Sequence, residues 1–186
     1  MTDLTTIFGA PAVSTLTKII EKQLSLEKGL TIKIRNNTSK NMISCGYQMK
    51  NGVTSSPFTI IHSKKQETSL LFKDNYFKGI EGIYLFEMEE FDFKIAIFFK
   101  VPCFKGSNSF AIDILDRSKK FDKLLMRKIK SVDSEKIRKL GKHCEPIVIE
   151  VNQIKIIAAM GQKHSDVLLQ IDFESISHEE DCSSLC

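Results

Sequence analysis

The spacing of apolar residues changes at Gly29, and this change constrains the fold more than any other feature of the sequence. From there Leu30, Ile32 and Ile34 alternate with polar residues, as in a half-buried strand. Further strand-like runs bounded by turn residues lie near 42–48, 69–73, 82–88, 93–101, 109–115, 147–151, 154–160 and 167–173. Many short strands of this kind predict a mainly β, single-domain β-sandwich over residues 29–176.

Two segments outside these runs have helical spacing and predict two α-helices that flank the sandwich. The first covers about residues 11–28, with an apolar face formed by Val13, Leu16, Ile19, Ile20 and Leu24. The second covers about residues 118–130, with Phe121, Leu124, Leu125 and Ile129 on its apolar face and Lys or Arg residues opposite. The polar residues 177–186 predict a disordered tail.

The chain of 186 residues is long enough for one domain with a buried hydrophobic core. Its aromatic residues are 13 Phe, 3 Tyr and no Trp. No apolar run is long enough to span a bilayer, and the first residues lack the features of a signal peptide. We therefore expect a cytosolic protein, or one released without a classical signal, that associates with membranes when active. The five scattered cysteines predict reduced thiols.

No catalytic constellation or phosphate-binding glycine loop occurs, so we expect neither an enzyme nor a cofactor. His62, His143 and His164 stand apart, without metal-ligand spacing. His178, Cys182 and Cys186 could hold a metal only weakly, because a floppy tail gives no fixed frame. The acidic residues at 89–92 are predicted to form a solvated hairpin tip.

Positive charge is concentrated between Arg117 and Lys142, where eleven Lys or Arg face three acidic residues in a chain whose net charge is +4. Such a face can attract anionic lipid headgroups or nucleic acid, or it can simply be solvated. Nucleic acid is the least favoured partner because Phe121, the aromatic residue of this segment, is expected to be buried and so cannot stack on a base.

The predicted N-terminal helix also has two interpretations. It can cover a core, as most amphipathic helices do, or it can leave the core for the bilayer. A continuous helix over residues 7–26 would be about 30 Å long, which is enough to cross the hydrocarbon region. Lys18, Glu21 and Lys22 would then face water inside an oligomeric pore.

The order of these parts is similar to that of a known family. An amphipathic N-terminal segment precedes the strand at 30–39, a tyrosine strand ends at 47–52, and Gly79, Gly82 and the run 95–102 follow. Ser107 and Asn108 then precede an alternating strand and the basic helix. Over about residues 10–174 the chain resembles the actinoporins, the pore-forming cytolysins of sea anemones. The resemblance implies a water-soluble monomer that docks on membranes, oligomerises and inserts its N-terminal helix.

The loop that should hold a choline headgroup departs from the family pattern. Cation–π recognition of choline needs an aromatic cage, but the segment 103–110 has no Trp or Tyr, and Glu81 and Lys100 replace small residues. We therefore predict a pore-forming, lipid-binding protein whose phosphocholine site has degraded and whose preference has moved toward anionic lipids. The candidate headgroup residues are Asn51, Gly52, Lys100, Pro102, Phe104, Lys105, Phe110, Lys123 and Arg127.

An alternative function uses the same sandwich. The fungal fruit-body lectins resemble this fold, so the chain could be a non-lytic intracellular module that binds a glycan or a protein. The missing aromatic cage and the expected free thiols favour this alternative.

Overall fold

The computed structural model of the protein describes residues 29–75, 77–104, 106–119, 124–130, 139–142, 146–161 and 166–176. The predicted N-terminal helix and the predicted disordered tail lie outside these residues. The described residues form two six-stranded sheets that pack face to face, which confirms the predicted mainly β sandwich.

The first sheet contains both early and late strands of the chain. Its spatial order is β10 (Ile147–Val151), β11 (Ile154–Met160), β12 (Asp166–Ser175), β1 (Gly29–Asn37), β5 (Lys65–Phe72) and β3 (Val53–Thr54). The central pair, β1 and β12, is parallel, and the other pairs are antiparallel. The late strands therefore complete the sheet begun by β1.

The second sheet holds the middle of the chain. Its order is β4 (Ile60–Ile61), β2 (Met42–Asn51), β6 (Ile80–Met88), β7 (Phe93–Val101), β8 (Ser109–Asp116) and β9 (Lys139–Lys142), all antiparallel. The tip between β6 and β7 contains Glu89 and Glu90, which confirms the predicted acidic hairpin. The two-residue β4 and the four-residue β9 were not predicted.

The main core lies between the sheets and alternates along each strand. In β1 it takes Leu30, Ile32 and Ile34, as the sequence predicts. Almost every residue of β6 is buried because its outer face is covered as well. On that outer side, a short helix α1 (Leu125–Lys130) packs on the second sheet. The buried residues of this second cluster are Ile83, Leu85, Ala96, Phe98, Ala111, Leu125, Met126 and Ile129.

The predicted start of the second helix, at residue 118, is wrong. Asp116 begins a turn, because its carboxylate accepts hydrogen bonds from Ser118 and its carbonyl accepts one from the Lys119 backbone N–H at 2.9 Å. This local bonding competes with the helical ladder, and α1 begins only at Leu125. Leu124, predicted on the apolar face, is 53% exposed.

The chain changes sheets after β2 and enters β6 earlier than predicted. At residues 50–52 it passes from β2 in one sheet to β3 in the other, through Gly52 with a φ of 89°. Strand β6 begins at Ile80, before the predicted strand near 82–88, so Glu81 and Gly82 lie inside the sheet.

Candidate functional site

Three connections meet at one end of the sandwich, which we call the loop end. They are the crossing at Gly52, the loop from β5 to β6 and the loop from β7 to β8. A Cβ atom on Gly79 would lie 2.0 Å from the Val101 carbonyl oxygen, so the two loops touch backbone to backbone. A Cβ atom on Gly52 would lie 2.7 Å from the Phe72 carbonyl oxygen. Glycine at both positions lets the three connections come together.

Two phenylalanine rings project from the loop end. Phe77, from the β5–β6 loop, is 80% exposed, and Phe104, from the β7–β8 loop, is 70% exposed. Their ring centroids are 6.4 Å apart, at an interplanar angle of 47°. They are the two most exposed large apolar side chains among the described residues. Large apolar side chains that are exposed side by side are typical of a surface that contacts an apolar partner.

The same two loops are also joined by a polar contact. Lys73 Nζ lies 3.5 Å from Cys103 Sγ, within the distance of a hydrogen bond to sulfur. Farther along the second loop, the Asn108 side-chain amide donates to the Gly161 carbonyl oxygen at 2.9 Å. Asn108 therefore ties this loop to the end of β11 in the opposite sheet. These contacts hold the aromatic loops on a fixed base.

A row of polar residues crosses the second sheet next to the loop end. Asn51 on β2, Glu81 on β6, Lys100 on β7 and Ser109 on β8 lie directly opposite one another on successive strands. Such opposite residues point to the same face of a sheet. Glu81 lies two residues before Ile83 and therefore on the same face of β6. Ile83 packs against α1, so the polar row lies on the outer face of the sheet that α1 also covers. We call these four residues and Lys50 the charged row.

Glu81 is the buried member of the charged row. It is 4% exposed, and its carboxylate oxygen Oε1 lies 3.5 Å from Nζ of Lys50, whose side chain is 58% exposed. Lys50 sits at an irregularity of β2, between the registered residues Met49 and Asn51. This bulge brings Lys50 and Asn51 together on the side of Glu81.

The structure brings together some of the predicted headgroup residues. Asn51, Gly52, Lys100, Pro102 and Phe104 all lie at the loop end or in the charged row. Lys105 and Lys123, and the predicted membrane-insertion residues Val13, Leu16, Ile19, Ile20 and Leu24, lie outside the described residues.

Two further predicted residues lie elsewhere. Phe110 is only 1% exposed, because it is opposite Phe99 in the core between the sheets, so it offers no ring to a headgroup. Arg127 is exposed on α1, on the outer side of the second sheet. Phe110 is therefore not part of the candidate site, and Arg127 shares only the outer side of the sheet with the polar residues near the loop end.

The sequence did not indicate Phe77, Lys50 or Lys73 as site residues. Phe77 carries a local signal, because a large aromatic residue lies there in a polar loop between Asn75 and Lys78. An apolar side chain among turn residues has no strand face to join, so it is a candidate for exposure. The roles of Lys50 and Lys73 depend on partners from other strands, and no local pattern indicates them.

The opposite end of the second sheet carries a separate polar cluster. Lys94 Nζ lies 3.0 Å from Glu87 and also donates to the Lys119 carbonyl oxygen at 3.1 Å. The hydrogen bond from Lys94 holds the pKa of Glu87 below its usual 4.5. Burial, together with the neighbouring Glu87 carboxylate, raises the pKa of the Cys45 thiol to about 11. This cluster favours an inert thiol, not a nucleophile.

The described part of the chain contains neither a cluster of metal ligands nor a membrane-spanning helix. Within it, no group of three His, Cys, Asp or Glu residues could hold a metal ion. No helix in the same residues is long and apolar enough to cross a membrane. Cys45 and Cys103 are free thiols, while Cys144, Cys182 and Cys186 lie outside the described residues.

Comparison with known proteins gives a likeness of fold. No protein-family model matches the chain, and no curated protein sequence matches it. The fold is similar to the crystal structure of the lipid-binding protein Nakanori, with a TM-score of 0.65 and 8% sequence identity. The superposition covers 87% of this chain and 78% of that one. The likeness supports the sandwich that the actinoporin resemblance implies, and membership of that family stays a prediction.

Proposed function

We propose that this protein binds lipid membranes through the loop end. The observation that carries this proposal is the exposed pair of Phe77 and Phe104, 6.4 Å apart on two loops that are packed together. The similar fold of a lipid-binding protein supports it. In this function the two rings enter the interfacial region of the bilayer, where aromatic side chains are favoured.

The energy available from the two rings is sufficient for peripheral binding. Full burial of a Phe side chain is worth about 1.5–3 kcal/mol, and an interface buries a large part of each ring. The close approach at Gly79 and the Lys73–Cys103 contact hold the two loops together, which lowers the cost of ordering them on binding. A fixed apolar pair therefore gives more affinity than the same rings on independent loops.

Cationic side chains near the rings favour anionic lipids. Lys78 lies next to Phe77, and Lys50 and Lys100 belong to the charged row; all three are exposed. Each basic residue close to an anionic bilayer contributes about 1 kcal/mol, which salt reduces. Together with Arg127 they provide the preference for anionic headgroups that we propose in place of choline recognition.

Pore formation extends this proposal. In the actinoporin resemblance, copies assemble on the membrane and the N-terminal segment inserts, with Val13, Leu16 and Ile19 on its apolar face. We propose the same order of events here: docking through the loop end, oligomerisation, and insertion of residues 7–26. No catalytic step is part of the function, and a hydrolytic screen without turnover is the expected result.

Vesicle sedimentation and dye release test this function. Liposomes of phosphatidylcholine alone, with sphingomyelin, and with phosphatidylserine would be compared for the full chain and for a variant lacking residues 1–28. We expect the phosphatidylserine vesicles to bind most strongly and to bind less at high salt, and dye release to require residues 1–28. Circular dichroism would confirm that the deletion leaves the strands folded.

The other outcomes separate the parts of the proposal. Binding without release would leave membrane docking intact and remove pore formation. Equal, salt-insensitive binding to neutral and anionic vesicles would remove the anionic preference. No sedimentation with any vesicle would overturn the function and favour the non-lytic binding module, for which a glycan array is the next measurement.

A further inference from the structure

We propose that the charged row selects lipid headgroups that carry a primary ammonium beside the phosphate, such as phosphatidylserine and phosphatidylethanolamine. Glu81 receives the ammonium, and Lys50 and Lys100 receive the phosphate. This inference rests on the proposed membrane binding and adds the chemistry that the headgroup must have.

The existing ion pair shows which cation the position accepts. Lys50 places a primary ammonium 3.5 Å from the Glu81 carboxylate, at a position where the carboxylate is almost fully buried. The lysine side chain itself is largely in solvent, so only its terminal group enters the row. A headgroup ammonium of the same chemistry can therefore take the place of Lys50 Nζ.

This exchange keeps the buried charge paired. Breaking a buried ion pair by removing one partner is costly, but replacing one ammonium by another leaves the carboxylate compensated. Lys50, once displaced, is available for the phosphate of the same headgroup. Lys100 is directly opposite Glu81 on the neighbouring strand, where Cα atoms are about 4.5–5.5 Å apart. The row thus presents an anionic position between two cationic ones.

The same arrangement disfavours other headgroups. A quaternary ammonium has no N–H to donate and is held by aromatic faces, whereas the charged row consists of Lys50, Asn51, Glu81, Lys100 and Ser109. A headgroup with phosphate and no amine cannot displace Lys50 from Glu81, so its phosphate has only Lys100 of the two lysines. Net charge alone would not distinguish phosphatidylserine from phosphatidylglycerol, but the row does.

The experiment compares vesicles of equal surface charge. Sedimentation of the full chain would be measured with phosphatidylcholine vesicles containing equal fractions of phosphatidylserine or phosphatidylglycerol, and with phosphatidylethanolamine in a neutral series. We expect about tenfold tighter binding to phosphatidylserine than to phosphatidylglycerol, the size of one charge-assisted hydrogen bond. Phosphatidylethanolamine should exceed phosphatidylcholine in the neutral series.

Two variants assign the selectivity to the row. Glu81→Gln removes the acceptor charge and should bring the phosphatidylserine to phosphatidylglycerol ratio close to one, while Glu150→Gln, an exposed residue on β10, is the matched charge control. Lys50→Arg keeps the net charge, and its exposed position does not threaten folding. Because a guanidinium binds a carboxylate through two hydrogen bonds, it should hold Glu81 more firmly and also reduce the ratio.

Each result decides between the two proposals. Equal binding to phosphatidylserine and phosphatidylglycerol by the wild type would overturn the ammonium selection while membrane binding stands. Absence of binding to every vesicle would overturn both. A rise in melting temperature with soluble phosphoethanolamine, without any vesicle preference, would point to a free metabolite and overturn the assignment to a lipid.

Discussion

Phe77 and Phe104 form an exposed pair because Gly79 allows the backbone of one loop to touch the Val101 carbonyl at the start of the other. The pair is thus a property of two loops and not of either one. An exposed aromatic pair on a fixed base differs from scattered surface apolar residues, which are normal in soluble proteins. This relationship is the basis of the membrane-docking proposal.

Replacing either ring should weaken membrane binding. Phe77→Ser and Phe104→Ser each remove apolar area that enters the interface, and we expect about tenfold weaker sedimentation with phosphatidylserine vesicles, or about 1.5 kcal/mol. Val148→Ser, at an exposed position on β10, is the matched control and should leave binding unchanged. Unaltered binding of a variant that carries both Phe77→Ser and Phe104→Ser would show that the rings do not contact the membrane.

Gly79→Ala should destabilise the fold and disturb the loop end. The new Cβ would meet backbone atoms of residues 101–103, which cannot move as a side chain can, so we expect a loss of about 1–3 kcal/mol in the free energy of unfolding. Gly29→Ala is the control, because its Cβ would lie 3.7 Å from the Leu71 carbonyl oxygen, an ordinary contact. Urea unfolding would measure both, and equal midpoints would contradict the close approach.

Cys45 should be a slow thiol although the residue is exposed. With a pKa raised to about 11 by burial and by Glu87, only roughly one molecule in a thousand is a thiolate at pH 8, against about a quarter for an ordinary cysteine. We expect alkylation by iodoacetamide about 100-fold slower than in the unfolded chain at the same pH. Peptide mass spectrometry would locate the label, and rapid modification of folded Cys45 would disprove the raised pKa.

The Glu87–Lys94 pair should give a small, acid-sensitive stabilisation. Because the folded pKa of Glu87 is below its usual 4.5, the contribution is present above pH 4.5 and is lost as the pH falls through the folded pKa. Compared with Glu87→Gln, the wild type should be more stable at pH 7 by up to about 1 kcal/mol, since Glu87 is partly exposed. Unfolding curves at pH 7 and pH 2 should show this difference shrink.

Most strands could be predicted because their signal is local. In β1, β11 and β12 every second residue is apolar, and the structure buries those residues. The second helix was predicted to begin too early because the residues from 118 onward have helical spacing, whereas the Asp116 turn depends on side-chain hydrogen bonds. Periodicity records which face is buried but not where local bonding interrupts an element.

The candidate site could be predicted only in part. Asn51, Lys100 and Phe104 were indicated by the resemblance, whereas Lys50 and Phe77 emerged from the tertiary arrangement. Phe110 was expected at a headgroup because it follows the loop in sequence, but its strand turns the ring into the core. A shift of one residue along a strand exchanges the buried and exposed faces, so nearness in sequence does not fix exposure.

The sequence by itself determined most of the strands and the sandwich class, because these follow from apolar periodicity within a few residues. The tertiary structure decided which strands share a sheet, the parallel pairing of β1 with β12, the exposed pair of Phe77 and Phe104, and the row through Glu81. Those features join residues that are distant along the chain. Their energies arise only after the two sheets have packed, so no local pattern encodes them.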